Sequence, residues 1–208
     1  MSAGRRLLLA TGSAHKLAEL RELLDLPGTE LRSLTELGLT DDAPEEGRTF
    51  EENATSKALH YARLSGLPAL ADDSGLEVDA LGGRPGVHTR RYAGPAASDE
   101  DNNQLLLREL DGAPPAQRTA RYRCVLVLAE PQSAGAPNLT SAVGTFEGRI
   151  ALAPRGSGGF GYDPIFEPAS EPHGGRTVGQ LSAAEKNAIS HRAQAARQMS
   201  ELLRRRGF

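Results

Sequence analysis

Short apolar runs alternate with stripes of apolar residues at helical spacing along most of the chain. Residues 7–10 form a run typical of a buried strand, and residues 17–24 then carry leucines on one helix face. A second helical stripe covers residues 50–62, and a second apolar run follows at residues 67–71. Strands that alternate with helices in this way predict an α/β fold.

Three helix beginnings carry a Ser or Thr followed three residues later by an acidic residue, the pattern of a capping box. These signals lie at residues 49–52, 98–101 and 182–185. Gly66 and Pro68 end the first of these helices, and the Pro- and Gly-containing residues 111–115 end the second. The third is expected to be one long helix that continues to Leu203. Further sheet segments are expected at residues 120–129 and 139–146.

The composition is that of one folded domain. Hydrophobic residues make up 38% of the 208 residues and charged residues 25%, which excludes a disordered chain. Neither a linker-like segment nor an internal repeat interrupts the sequence. Residues 1–208 are therefore expected to form a single domain.

Charge and cysteine content narrow the function classes. The net charge of −3 and the isoelectric point near 6.0 argue against nucleic acid or an anionic membrane as the main partner. Residues 1–10 contain too short an apolar run for a signal peptide or a membrane span, so a cytoplasmic location is expected. The single cysteine, Cys124, lies in an apolar run and is interpreted as a buried strand thiol.

A loop of small residues at residues 11–16 leads into the first helix, where free N–H groups and the helix dipole favour an anion. Lys16 falls in the first helical turn. A lysine there opposes the dipole and costs up to ~1 kcal/mol, which becomes reasonable when a phosphate binds beside it. The alternative is an ordinary surface lysine whose charge Glu19 balances, and both interpretations remain open.

Two consecutive carboxylates, Asp72 and Asp73, follow the apolar run at residues 67–71, at the strand end where open α/β sheets usually bind ligands. Neighbouring strand residues face opposite sides, so one of the two is expected to enter a site. Mg²⁺ prefers such oxygen ligands, and a carboxylate beside the metal could accept a proton from water. The acidic residues 41–46 are interpreted mainly as a solvated loop.

Glycines at positions 156, 158 and 161 match the G-x-G-x-x-G pattern of dinucleotide-binding proteins. That pattern requires a helix directly afterwards, and Pro164 disfavours one. The sequence also lacks the P-loop pattern of common ATPases. Phe160, Tyr162 and Phe166 are a local enrichment of aromatic residues that could stack on a base or pack in the core.

Seven segments, together and in this order, resemble the inosine triphosphate pyrophosphatase family. They cover residues 11–16, 49–54, 71–76, 80–86, 91–94, 159–164 and 185–192. The resemblance implies a two-lobed α/β fold around a long mixed β-sheet with flanking helices, a substrate cleft between the lobes, and a homodimer. It also implies Mg²⁺-dependent hydrolysis of ITP, dITP and XTP to the monophosphate and pyrophosphate, which keeps deaminated bases out of DNA and RNA.

The resemblance also implies residue roles. Asp73 is expected to be the catalytic proton acceptor and a metal ligand, Glu45 the second metal ligand, and Ser74 a substrate contact. The expected triphosphate contacts are Thr11, Gly12, Ser13, Ala14, His15 and Lys16. The expected nucleoside and base contacts are Phe160, Gly161, Tyr162, Asp163, Lys186, His191 and Arg192, with Asn53 and Arg90 as weaker candidates. Glu46 and Asp72 are the alternatives to Glu45 at the metal.

Two departures from the family pattern affect these roles. Ser13 stands where the family usually has Asn, and residues 88–89 are His-Thr where Tyr-Ser is common. Two other functions remain as alternatives: a pyrophosphatase for another modified nucleotide, such as a modified pyrimidine, and a nucleotide-binding regulator without catalysis. The intact Asp-Asp-Ser-Gly segment argues against the regulator, and a purely structural role would leave the glycine and acidic segments unexplained.

Overall fold

A computed structural model describes residues 5–208. Residues 1–4, on which the expectation about a leader segment partly rests, lie outside this range. The strands are β1 (Arg6–Ala10), β2 (Glu30–Ser33), β3 (Ala69–Val78), β4 (Thr119–Glu130), β5 (Asn138–Ile150) and β6 (Phe166–Pro168). The helices are α1 (Ala14–Leu23), α2 (Phe50–Ser65), α3 (Asp99–Glu109), α4 (Ala183–Ile189) and α5 (His191–Arg205). No helix in the described part of the chain combines the length and the apolar character needed to cross a bilayer.

The strands form one mixed sheet in the order β2-β1-β3-β4-β5-β6. β1 is parallel to both β2 and β3, with Leu8 opposite Ala69 in the β1–β3 pair. β5 and β6 are antiparallel. Helices that alternate with the first three strands supply the crossovers that parallel pairing requires. The α/β fold class with a mixed sheet and flanking helices is confirmed.

Two compact units divide the chain, and each has its own hydrophobic core. Unit 1 contains the chain up to Asp73, together with Cys124–Gly144 and Arg192–Phe208, and its core includes leucines of β1 and α1 and the buried Met199 of α5. Unit 2 contains Ser74–Arg123 and Thr145–His191. The core of unit 2 is built from β3, α3, β4 and β5 side chains around Phe166.

The helix beginnings follow the sequence signals. Capping boxes begin α2 at Thr49, α3 at Ser98 and α4 at Ser182, because each cap side chain accepts a backbone N–H that the helix leaves without a partner. Gly66 ends α2 with φ of +67°, a conformation that glycine adopts without a Cβ clash. All three predicted helix beginnings are confirmed.

β3 is longer than the strand predicted at residues 67–71. It continues through Asp72 and Asp73 to Val78, so the two carboxylates lie inside the strand and the prediction that they lie at its end is wrong. Asp, Ser and Gly have low strand propensity, which makes the sequence suggest an end here. Tertiary context overrides that propensity, because Leu76 and Val78 are fully buried in the core of unit 2.

The long helix predicted from residue 183 to Leu203 is also wrong, since Ser190 divides it. Ser190 has extended backbone angles (φ −65°, ψ 158°), and its N–H donates to the carbonyl of Lys186 to close α4. α5 then begins at His191. Ile189 of α4 packs against the core of unit 2, whereas Met199 of α5 lies in the core of unit 1. The two helices therefore pack in different cores.

Candidate active site

Asp72 and Asp73 are neighbours in β3, and their side chains have different partners. Asp72 pairs with Lys16 and Arg192, whereas Asp73 pairs with Lys57. This separation agrees with the expectation that consecutive strand residues face opposite sides. The two carboxylates therefore belong to two distinct polar clusters of unit 1.

The Asp73 cluster consists of Asp73, Lys57, Glu45 and Asn53. The ammonium of Lys57 lies 2.6 Å from Asp73 Oδ1 and 2.7 Å from Glu45 Oε1. Asn53 Nδ2 donates to Asp73 Oδ2 at 3.3 Å. Asn53 and Lys57 are four residues apart in α2, so both side chains lie on one helix face. One helix, α2, thus supplies two partners of the carboxylate.

Gly47 allows the loop that carries Glu45 to approach α2 closely. Its N–H donates to Asn53 Oδ1 at 2.8 Å. A Cβ at this position would lie 2.6 Å from that same oxygen and 2.7 Å from the Cβ of Glu52, closer than packed atoms approach. Any larger residue would have to move the loop, and Glu45 with it.

Burial sets the acid–base character of this cluster. Burial raises the pKa of Asp73 above its ordinary value, and the attraction of Lys57 reverses only part of that change. Burial lowers the pKa of Lys57, but the charges and hydrogen bonds of Asp73 and Glu45 together outweigh it, so the pKa of the lysine is raised. Lys57 consequently stays charged, and Asp73 is a stronger proton acceptor than an exposed aspartate.

The donor set of the Asp73 cluster fits a hard divalent cation. Asp73 and Glu45 place oxygens on one shared cation, the Lys57 ammonium, within 2.7 Å of each. Among residues 5–208 no group of three or more His, Cys, Asp or Glu side chains is arranged to hold a metal. Two carboxylates completed by substrate phosphates are the usual protein share of a Mg²⁺ site, so the residues present fit this metal.

The Asp72 cluster joins Asp72, Arg192, Lys16, Glu19 and Cys124. Arg192 Nε lies 2.8 Å from Asp72 Oδ2. The Nη1 group of the same guanidinium donates to Glu19 Oε2. The side chains of Asp72 and Arg192 are 0% and 1% exposed. Burial raises the pKa of Asp72, but Arg192 and Lys16 outweigh it and hold this pKa well below its ordinary value.

Cys124 lies in this buried cluster, as the sequence predicts for a strand thiol. Its Sγ donates to Asp72 Oδ2 at 3.3 Å. Burial raises the pKa of this thiol well above its ordinary value, so the reactive thiolate is disfavoured. Cys124 is a structural donor to Asp72.

The loop at residues 11–16 joins β1 to α1. Ser13 caps α1 by accepting from the N–H of Lys16 at 3.4 Å, and Thr11 Oγ1 accepts from the N–H of Ser13 at 3.2 Å. Gly12, Ala14 and His15 are exposed. The serine that departs from the family pattern therefore still works as a helix cap.

The side chain of Lys16 has a carboxylate partner. Its Nζ lies 2.6 Å from Asp72 Oδ1, whereas Glu19, suggested above as its partner, pairs with Arg192. Lys16 retains 19% side-chain exposure, so the charge is not closed off from solvent.

Five side chains of unit 2 form the Asp163 cluster: Tyr122, Phe160, Asp163, Lys186 and His191. Asp163 Oδ2 accepts from the N–H of Phe160 at 2.9 Å and from Lys186 Nζ at 2.8 Å. The same ammonium lies 4.4 Å from the centroid of the Phe160 ring. The structure thus brings together four of the residues predicted to surround the nucleoside and base.

Gly159 makes room for Asp163. It has φ of +74°, and a Cβ there would lie 2.0 Å from Asp163 Oδ2. Tyr162 follows, with its hydroxyl donating to the carbonyl of Thr89 at 2.8 Å. The N–H and carbonyl of Gly161 bind Asp99 and Asn103 of α3 at 2.6 and 3.0 Å. The glycine-rich segment is therefore a loop anchored on α3.

Three further predicted contacts lie elsewhere. Ser74 is 8% exposed in β3, next to Asp73. Arg90 has an exposed side chain on the 3₁₀ segment Gly86–Arg91, and its carbonyl accepts from Asn102. Arg192 belongs to unit 1 and is buried against Asp72 and Glu19. Their roles toward a substrate stay predictions.

Sequence reasoning missed Lys57 and Tyr122. Lys57 could have been found, since it lies four residues after Asn53 on the same face of a predicted helix. Tyr122 gives no comparable signal, because it occupies an inward position of a strand where an aromatic core residue is expected.

Comparison with known proteins adds a second line of support. A protein-family model described as the Ham1 family matches residues 7–202. A protein named dITP/XTP pyrophosphatase from Methylococcus capsulatus is 50% identical over 200 residues, which is 96% of each chain.

Solved structures agree in fold. A HAM1 protein from Coxiella burnetii superposes with a TM-score of 0.84 at 46% identity, over 97% of this chain and 99% of that one. The Ham1 protein of Staphylococcus aureus has a TM-score of 0.85 at 35% identity, over 97% of this chain and all of that one. The similarity therefore extends over nearly the whole chain.

Proposed function

This chain belongs to the Ham1 family, and we propose that it is a nucleoside triphosphate pyrophosphatase that hydrolyses deaminated purine nucleotides. The substrates are ITP, dITP and XTP, and the products are the nucleoside monophosphate and pyrophosphate. Removing these nucleotides keeps deaminated bases out of DNA and RNA. The relative from Methylococcus capsulatus carries the name of the same activity.

The observation that carries this proposal is the Asp73 cluster. A buried carboxylate of raised pKa lies beside a charged lysine and a second carboxylate, which combines a proton acceptor with positive charge for phosphate. Phosphoryl transfer depends mainly on positioning and charge stabilisation, and this cluster offers both.

Asp73 and Glu45 would hold Mg²⁺, which when bound offsets the negative charge of the triphosphate. Asp73 is also the proposed acceptor for the proton of the attacking water, because a buried carboxylate held at the site of attack can act as a general base. Lys57 keeps the two carboxylates together and adds positive charge beside the phosphates. Asn53 fixes the other oxygen of Asp73 through its amide.

We assign the triphosphate to the loop at residues 11–16. The N–H groups at the beginning of α1 and the partly exposed charge of Lys16 suit an anion. Ser13 is expected to contribute less than the Asn usual in the family, since its hydroxyl already caps α1.

Base selection is assigned to the Asp163 cluster. Donors that pair with the 6-oxo group of hypoxanthine or xanthine are left unpaired opposite the 6-amino group of adenine, and buried unpaired donors are costly. Lys186 and His191 are the candidate donors, and Phe160 is the candidate stacking surface. Guanine shares the 6-oxo group, so its exclusion depends on the 2-amino position.

We also propose that the protein is a homodimer located in the cytoplasm. Both properties are carried over from the family resemblance. The cytoplasm also contains the nucleotide pool on which the proposed activity acts. Light scattering after size-exclusion chromatography tests the assembly, with twice the 22.1 kDa chain mass as the expected result.

Pyrophosphate release from a panel of nucleotides tests the function. We expect ITP, dITP and XTP to be hydrolysed with kcat/KM at least about 100-fold above ATP and GTP, because polar mismatches discriminate strongly. Modified dUTP and dCTP test the alternative of a different preferred base. Equal turnover of ATP and ITP would contradict the proposed specificity, and turnover of none would favour the inactive regulator.

Replacing Glu45 by Gln tests the metal assignment. We expect the Mg²⁺ concentration for half-maximal activity to rise by at least roughly 10–100-fold. That is the loss of metal affinity seen when a residue that only supports a metal ligand is removed, and a ligand should matter at least as much. The matched control is Glu46→Gln, whose neighbouring carboxylate is also exposed and should leave the titration unchanged. An unchanged titration for Glu45→Gln would instead transfer the role to Glu46 or Asp72.

A further inference from the structure

Tyr122 is a member of the Asp163 cluster to which no role has yet been assigned. Its side chain points inward from β4 and is 8% exposed. The phenol ring stacks on the imidazole of His191, with centroids 4.8 Å apart and planes 6° from parallel. Its hydroxyl donates to Asp163 Oδ1 at 3.3 Å. One side chain thus contacts two residues assigned to base selection.

A second ring also packs against Tyr122. Phe166, which is fully buried, packs against it with centroids 4.8 Å apart at 51°. Rings confined in this way keep one orientation, because protein interiors are close-packed. The stacked Tyr122 ring can therefore fix the orientation of the His191 imidazole.

The hydroxyl of Tyr122 has a defined place in the hydrogen bonding of Asp163. Lys186 and the N–H of Phe160 both donate to Oδ2, and Tyr122 donates to Oδ1. Burial raises the pKa of Tyr122 well above its ordinary value, so the hydroxyl keeps its proton and remains a donor. The carboxylate is consequently held from both oxygens.

We propose that Tyr122 is a positioning residue for base recognition, acting by fixing the ring plane of His191 and the carboxylate that holds Lys186. This inference rests on the proposed function, since the orientation of these side chains affects specificity only if they meet the base. A matched base gains from oriented donors, whereas a mismatched base does not. Losing the orientation should therefore weaken the binding of ITP, whose 6-oxo group pairs with these donors, more than the binding of ATP, whose 6-amino group does not.

The test is Tyr122→Phe, which keeps the stacked ring and removes the donor to Asp163. We expect KM for ITP to rise about tenfold, the lower end for a hydrogen bond to a charged group, with kcat changed by less than about twofold. The ratio of kcat/KM for ITP over ATP should fall by the same factor. In an Asp163→Asn background the effect of Tyr122→Phe should nearly vanish, because the two groups act as one unit.

The matched control is Tyr92→Phe, which removes another tyrosine–carboxylate hydrogen bond of unit 2, to Glu109, and should leave the ITP-to-ATP ratio unchanged. Tyr122→Leu removes the stacking as well and should lower the ratio further; if it fails to fold, Tyr122→Phe alone decides. An unchanged KM for ITP, or equal losses for ITP and ATP, overturns the inference. A wild-type enzyme without ITP preference overturns the proposed function instead.

Discussion

Replacing Asp73 by Asn is expected to lower kcat for ITP by at least about 10³-fold, within the range that a general base contributes. The amide cannot accept the proton of the attacking water, and it is a poorer ligand for Mg²⁺. It keeps nearly the same shape beside Lys57 and Asn53, so the fold should be retained. Pyrophosphate release measures the loss, and calorimetric titration with ITP should still detect binding.

Asp79→Asn is the control for this substitution. Asp79 follows β3 and carries an exposed ion pair with Arg121, so its loss should leave kcat near the wild-type value. A wild-type rate for Asp73→Asn would exclude Asp73 as the base. Loss of ITP binding together with the rate would instead place Asp73 in substrate binding.

Arg192→Met is expected to lower the free energy of unfolding by about 3–5 kcal/mol, the cost of removing one partner of a buried ion pair. Met fills much of the volume of the arginine stem but leaves the fully buried Asp72 with less compensating charge. Urea denaturation measures the change. The double variant Asp72→Asn/Arg192→Met should lose less than the two single variants together, because both act on one interaction.

A second arginine of α5 provides the control for Arg192→Met. Arg204 pairs with Asp25, whose side chain is 74% exposed, and exposed pairs contribute little. Arg204→Met should therefore change the free energy of unfolding by less than about 0.5 kcal/mol. Similar losses for Arg192→Met and Arg204→Met would contradict a special role for the buried pair.

The Asp72–Arg192 pair also predicts how the stability difference between wild type and Arg192→Met depends on pH. Because the folded-state pKa of Asp72 is depressed, the stability that its charge contributes is fully present above the unfolded-state pKa, about 3.9. It is lost as pH falls below that value toward the folded-state pKa. The stability difference between wild type and Arg192→Met should be constant from about pH 5 to 8 and narrow below about pH 4.

Local signals in the sequence predict the helix beginnings well. Thr49, Ser98 and Ser182 each cap a helix through contacts within four residues, so no knowledge of the rest of the fold is needed. The family resemblance adds residues that patterns cannot connect. Asp163 and Lys186 are 23 positions apart, and their contact depends on tertiary structure.

The two wrong predictions share a physical cause. Asp73 lies inside β3 and Ser190 divides the final helix, although neither local sequence predicts this. In both places long-range packing decides, through the buried Leu76 in one case and through separate cores for Ile189 and Met199 in the other. Propensity describes only the preference of the isolated segment.

The position of Lys57 between Asp73 and Glu45 bears on the order in which ligands arrive. Two carboxylates that face a common point repel each other, and here an internal counter-ion removes that repulsion before any metal binds. Under the proposed assignment, Lys57 would supply positive charge between the two carboxylates when Mg²⁺ is absent. Asp73 and Glu45 would then be available to Mg²⁺ that arrives with the triphosphate, and one binding event would bring both ligands.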